Sequence, residues 1–169
     1  VHPLITDMSD AALAAGTGPM SAVAGAMAEY ICRDMLAETG ADEVIIENGG
    51  NIFMKLTAPA TVAIFAGDSP LSEKIALQPV PGDTPLSLCC SSGTVGHSLS
   101  FGVADACMIA CRSGALADAC ATAFCNRVKN PEMVREVTEQ ALKMREILSV
   151  VIIAGDKVGL GGTIAVRFV

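Results

Sequence analysis

Hydrophobic positions fill this chain in short runs, and their rhythm changes along it. Ser21 to Glu38 holds no breaker except Gly25, which predicts a helix. Thr17-Gly18-Pro19 supplies its start, because Thr17 or Gly18 can cap it and proline is tolerated in a first turn. Thr39-Gly40 supplies its stop. Val44 to Glu47 and Ile52 to Leu56 flank Asn48-Gly49-Gly50, a sequence that predicts a hairpin or a bulged turn. Further strands are expected at Thr61 to Ala66, Lys74 to Pro79, Leu86 to Cys90 and Ala106 to Cys111. Ala117 to Val128 and the amphipathic stretch Pro131 to Arg145 read as helices. Ile147 to Ala154 has the length of a buried strand, and Thr163 to Val169 a final one, joined through glycine-rich 155–162. The expected order is one helix, a strand meander, two helices and two strands. Strands in runs with short connections favour an α+β plan with antiparallel sheets over βαβ alternation.

Composition narrows this picture. The 169 residues suit one domain, and 51% of them are hydrophobic with no Trp, one Tyr and five Phe. The core is therefore expected to consist of small aliphatic side chains and Met. No run of about 18 uncharged apolar residues occurs, so no membrane span is expected. A net charge of −7 without a Lys/Arg cluster argues against nucleic acid as a partner. The seven Cys form no C-x-x-C pair, and their odd number suits a cytoplasmic location with buried free thiols. A sulfur-carrying role for one of them is the alternative. The chain begins at Val1 without Met or a signal pattern, which makes a processed chain lacking an N-terminal portion the expectation.

Polar and glycine residues gather in three places. Ser91-Ser92-Gly93-Thr94-Val95-Gly96-His97-Ser98 offers backbone N–H groups and hydroxyls for phosphate oxygens, or is an inert surface loop. His97 in it is either a general base or a structural imidazole. The loop is no P-loop, because no Lys follows Gly96. Glu47-Asn48-Gly49-Gly50 either lets a flat ring approach the backbone or simply turns the chain. Asp118 and Thr122 lie four apart on a helix and face one side. They suit Mg²⁺ beside phosphates, although Asp118 at a helix start also favours that helix end electrostatically.

Taken in order, these segments resemble the ApbE-like superfamily, whose founding enzymes are FAD:protein FMN transferases. The resemblance rests on Ala24 to Glu29, on Glu47 to Ile52, on Ser91-Ser92-Gly93 with His97, and on Ala117-Asp118-Ala119-Cys120-Ala121-Thr122-Ala123. Gly18 to Gly25 and Ser91 to Gly102 are more similar still to an archaeal and bacterial branch. The resemblance implies a two-layer α+β fold with antiparallel sheets and duplicated T-fold-like halves. It also implies FAD or a related nucleotide as ligand, Mg²⁺ held by Asp118 and Thr122, and pairing into a homodimer. On that basis Asn48, Gly49 and Gly50 are expected at the ring or ribose. Ser91, Ser92, Gly93, Thr94, Gly96 and Ser98 are expected at the phosphates, with His97 catalytic. The transferases carry Lys-Gly-Tyr-Ala-x-Asp where this chain has Ala24 to Glu29, and an Asp where it has Asn51. A binding protein that has lost transfer chemistry is therefore a further reading.

Overall fold

The computed structural model describes residues 1–96 and 100–169. Its elements follow in the order α1 (Pro3–Ala15), α2 (Val23–Thr39), β1 (Val44–Asn48), β2 (Asn51–Lys55), β3 (Val62–Ala63) and β4 (Ile75–Gln78). After these come β5 (Leu86–Ser91), β6 (Ala106–Cys111), α3 (Gly114–Arg127), α4 (Val134–Ala141), β7 (Ile147–Ala154), β8 (Lys157–Gly162) and β9 (Ala165–Phe168). Six strands form one sheet in the order β1-β2-β5-β6-β7-β8, and β3-β4-β9 form a second. Every pairing is antiparallel. The fold class is α+β, as the runs of strands predict.

Strand alternation decides what each face meets. Cys89, Cys107, Ile109, Cys111, Val150 and Ile152 point to the helices, where Ala22, Ala26, Ala117, Cys120 and Phe124 cover them. Leu86, Leu88, Met108, Val151 and Ile153 point the other way, toward Ile64, Ile75, Leu77 and Ile164 of the smaller sheet and its flanks. All six residues of β6 are buried, because both faces of that central strand are covered. On the helix side α2 packs on β1 and β2, α3 on β5 and β6, and α4 on β7 and β8.

α2 and α3 cross where neither has a side chain. A Cβ on Gly25 would stand 2.2 Å from the Gly114 carbonyl oxygen, and one on Gly114 would stand 2.2 Å from that of Gly25. The contact is reciprocal in hydrogen bonding as well. Gly25 N–H donates to Asp118 Oδ2 at 2.8 Å, and Gly114 N–H donates to Glu29 Oε2 at 2.6 Å. Each helix thus places a carboxylate four residues after its glycine, where it caps the other helix.

Several boundaries differ from the expectations. α1 lies where the sequence pattern predicted no element; His2 accepts a hydrogen bond from Leu4 N–H at its start, and Gly16 ends it in the left-handed conformation. The glycine-rich 157–162 is a strand rather than a connection. A Cβ on Gly159 would lie 2.2 Å from Thr138 Oγ1, so α4 rests directly on this backbone. Only Val62–Ala63 of the expected strand at 61–66 pairs as a strand, and the helix expected to reach Arg145 ends at Ala141. α3 begins at Gly114, capped by the Ser113 side chain, so Asp118 sits in its second turn. No single helix among the described residues is long and apolar enough to cross a membrane; α1 and α2 pass that test only jointly, with a 107° bend between them.

Candidate functional site

The β1–β2 turn is a two-residue hairpin: Asn48 pairs with Asn51, and Gly49 and Gly50 both take positive φ. That geometry demands glycine or a similar residue at both positions. Glu47 Oε1 accepts the Gly50 N–H at 2.6 Å, and Asn48 Nδ2 donates to the Ala24 carbonyl at the start of α2 at 3.3 Å. The turn is thereby tied to α2, and both stand beside the end of β5.

There a cavity of about 870 Å³ opens. Its walls are the approach to α2 (Met20, Ser21, Val23, Ala24), the turn (Glu47, Gly49, Gly50, Asn51) and the segment after β5 (Ser91, Ser92, Val95, Gly96, Ser100). Asp118 and Thr122 of α3, Val62, Ala63 and Phe65 near the small sheet, and Ile52, Cys90 and Met108 of the large sheet complete them. The expected site residues Gly49, Gly50, Ser91, Ser92, Gly96, Asp118 and Thr122 therefore share one cavity. Asn48 stands behind the wall, holding the turn to α2. Gly93 is used elsewhere: a Cβ there would lie 1.9 Å from the Gly102 carbonyl oxygen. Thr94 turns away and donates to Asp105 Oδ1 at 2.7 Å, beside a smaller cavity lined by Asp68 and Asp105. His97 and Ser98 lie outside the described residues.

Asp118 is only 7% exposed. Burial pushes its carboxyl up from the usual 3.8 to about 6, against the pull of the Gly25 and Ala24 N–H groups. The helix end that it favours is that of α2, not that of its own helix. Glu29, at the matching place in the crossing, pairs with Arg33, and burial again raises its carboxyl above the ordinary value. One turn beyond Asp118, the Thr122 hydroxyl lies 3.1 Å from that of Ser91, which joins α3 to the end of β5. Ser92 Oγ accepts the N–H groups of Thr94 and Val95, so part of its capacity serves its own loop.

Asn51 is the residue most at odds with its surroundings. It is buried, and its Oδ1 has no hydrogen-bond partner, the one such buried side-chain atom among the described residues. Nδ2 donates to the Asn48 carbonyl at 3.2 Å, which fixes the amide orientation and leaves the oxygen as the unmet group. An unmet buried acceptor costs about 1–3 kcal/mol.

On the α3 side of the cavity the oxygen groups a cation could use are the Asp118 carboxylate and the paired Thr122 and Ser91 hydroxyls; Glu47 is a second carboxylate in the wall, with one oxygen already taken by Gly50 N–H. No cluster of three or more His, Cys, Asp or Glu capable of holding a metal occurs among the described residues. All seven thiols are free. Burial raises every one of them, Cys90 in the cavity wall to about 12 and Cys120 to about 11. A sulfur carrier works through a thiol lowered toward neutral pH, the opposite of what burial does to these seven.

Sequence reasoning missed the contribution of the small sheet. Phe65 gave no signal, because a lone aromatic inside the strand expected at 61–66 is ordinary there. Met20 and Ser21 were hidden for a related reason, since they lie in a short 3-10 turn (Pro19–Ala22) that continues into α2. The Gly25–Gly114 crossing was equally hidden, since small residues in a helix do not reveal which helix they meet.

Known proteins place this arrangement. A UPF0280 protein of Methanothrix thermoacetophila is 38% identical over 162 residues, covering 96% of this chain and 67% of that protein. A second, from Methanocaldococcus jannaschii, is 36% identical and covers 89% of this chain and 62% of that protein. The apo form of the Pseudomonas stutzeri flavinyl transferase ApbE matches in fold with a TM-score of 0.51 at 16% identity, over 83% of this chain and 46% of that one. The chain thus spans about two thirds of the length of these two relatives and under half of the transferase. The family model described as AbpE bacteria matches residues 1–153, and the chain belongs to that family.

Proposed function

We propose that the cavity binds a flavin or a related pyrophosphate-containing nucleotide together with Mg²⁺. The observation that carries this reading is convergence: segments near residues 20, 50, 92 and 120 wall one cavity of about 870 Å³, within the range of about 300–1,000 Å³ usual for ligand sites. Its walls combine polar residues (Ser91, Ser92, Asp118, Thr122) with apolar ones (Val62, Ala63, Phe65), which suits a ligand with a charged linker and a flat ring. The likeness in fold to a flavinyl transferase is in keeping with this ligand class.

The donor set fits Mg²⁺, which takes one or two carboxylates and leaves the remaining positions to phosphates and water. Asp118 and Thr122 would hold it, with the Ser91 hydroxyl beside them. Bound there, the cation would neutralise charge on the pyrophosphate. Gly96 and the Ser92 turn would face the phosphates with backbone groups. Asp118 keeps one oxygen on the Gly25 N–H, so the end of α2 is fixed relative to the cation.

Binding is the better supported half of the reading. Ala24 and Ala26 offer neither the amine nor the phenol that the transferases present in that helix. A protein that binds without transferring is the second reading, favoured by those two positions. Titrating FAD into the purified protein with Mg²⁺ and then with EDTA tests the first. Saturable binding that weakens at least tenfold in EDTA is expected; no binding under either condition would refute it. Incubating the FAD complex with candidate acceptor proteins and looking for covalent flavin separates transfer from binding.

A further inference from the structure

Phe65 is held in an unusual position for a side chain of its type. Its neighbours Ile64 and Ala66 are 1% and 0% exposed, whereas Phe65 itself is 60% exposed. Its backbone is fixed on both sides. Ile64 exchanges hydrogen bonds with Ile75 and Glu73, and Ala66 N–H donates to Ser72 Oγ at 2.9 Å. Two residues on, Gly67 abuts the 91–96 segment so closely that a Cβ there would lie 2.6 Å from Val95 Cγ2. The ring therefore projects from a strap fixed on both sides, in the layer opposite α3, and lines the same cavity as Val95, Asp118 and Thr122.

A single exposed aromatic is ordinary on a protein surface and by itself means nothing. Three observations set Phe65 apart. It forms part of a concave wall, not a convex surface. Val62 and Ala63 continue its apolar character along that wall, and Met20, 72% exposed, adds to it from the α2 side. Finally, the chain has five Phe, one Tyr and no Trp, and among the described residues no other Phe and no Tyr lines this cavity.

We infer that Phe65 is the stacking platform for the planar ring of the bound ligand. The ring then lies on the small-sheet side of the cavity, while the pyrophosphate lies toward α3. This inference rests on the nucleotide reading above and adds a residue and an orientation to it. The expected arrangement at the β1–β2 turn changes accordingly: Gly49 and Gly50 make room at the cavity edge, and the ring rests on carbon contributed by the second sheet. Stacking needs only a π-face, so the platform accepts either ring of a dinucleotide.

Calorimetric titrations of FAD and of ADP, each with Mg²⁺, into the unaltered protein and Phe65→Ala, Phe65→Leu and Phe65→Tyr provide the test. The alanine variant is expected to bind FAD at least tenfold more weakly, the leucine variant to fall between, and the tyrosine variant to stay within about twofold of the parent. Because the side chain is exposed, the unfolding midpoint of all three should match the parent within about 2 °C. Loss of ADP affinity in parallel would assign the platform to adenine; loss for FAD alone would assign it to the flavin ring. FAD and ADP binding that Phe65→Ala leaves unchanged would overturn the inference while leaving the nucleotide reading intact. Failure of the unaltered protein to bind either compound would overturn both.

Discussion

Gly25→Ala puts one methyl group into the crossing of α2 and α3. The added Cβ would sit 2.2 Å from the Gly114 carbonyl oxygen and 2.8 Å from Asp118 Cβ, and no rotamer can relieve a clash with backbone. The two helices must separate by roughly 1 Å, which is overpacking at about 1–3 kcal/mol. Separation also stretches the Gly25–Asp118 and Gly114–Glu29 hydrogen bonds, whose acceptors are buried carboxylates. Bonds to charged acceptors contribute about 1.5–3 kcal/mol each, and at least one is lost. Alanine recovers about 1 kcal/mol through its better helix propensity. The net expectation is a loss of about 3 kcal/mol, a large part of the stability of any single domain. With a urea slope of about 2 kcal/mol per molar, the unfolding midpoint should fall by about 1.5 M. Gly114→Ala, which makes the mirror-image clash, should match it. Gly82→Ala is the control, because no atom lies within 4 Å of its added Cβ. A midpoint shift below about 0.3 M for Gly25→Ala would refute the reciprocal clamp.

Glu29→Gln tests the electrostatics of the same crossing. Burial raises the Glu29 carboxyl above its usual 4.5, so the folded protein holds that proton more tightly than the unfolded chain does. The contribution is therefore fully present below pH 4.5 and is lost as pH rises through the folded value. Glutamine keeps an acceptor for Gly114 N–H and cannot ionise, so the variant should gain stability relative to the parent between pH 4.5 and pH 7.5 in urea unfolding; a constant difference would contradict this. Thr122→Val removes the hydroxyl that faces Ser91 at 3.1 Å without changing side-chain size. It should lower FAD affinity in Mg²⁺ about tenfold, abolish the effect of EDTA and cost about 1 kcal/mol of stability or less, measured by calorimetry and by unfolding. Iodoacetamide at pH 7 should label all seven thiols slowly in the folded state, because burial raises each of them; one fast thiol, found by mass spectrometry, would revive sulfur chemistry.

Much of the fold is legible in the chain wherever local chemistry is strong. Thr17-Gly18-Pro19 and Gly40 bracket the second helix, Asn48-Gly49-Gly50 announces the hairpin, and the apolar run at 147–154 is the strand it resembles. What stays hidden depends on partners. β8 reads as a connection because Gly159 and Gly161 suggest a loop, yet these residues are glycine so that Thr138 and Leu142 can rest on the strand. α1 escapes notice because its cap is an unusual one, His2.

The site follows the same division. Asp118 and Thr122 are legible as a pair, since helical spacing alone sets them on one side. Residues of the 91–98 loop are not separable by type: Ser91 and Gly96 line the cavity, whereas Gly93 packs on Gly102 and Thr94 holds Asp105. Hydroxyls and glycines serve both purposes, and only the fold decides which. Asp118 itself shows how far a local reading reaches. Its carboxylate does meet a helix N-terminus, but that of α2, some ninety residues away in sequence.

The most direct test of the account is a crystal structure grown with FAD and Mn²⁺, using the anomalous signal of manganese to locate the cation. One peak within coordination distance of Asp118 and Thr122, with pyrophosphate density continuing toward Gly96 and a ring against Phe65, is the predicted result. Flavin density outside this cavity, or a manganese peak away from Asp118, would contradict it.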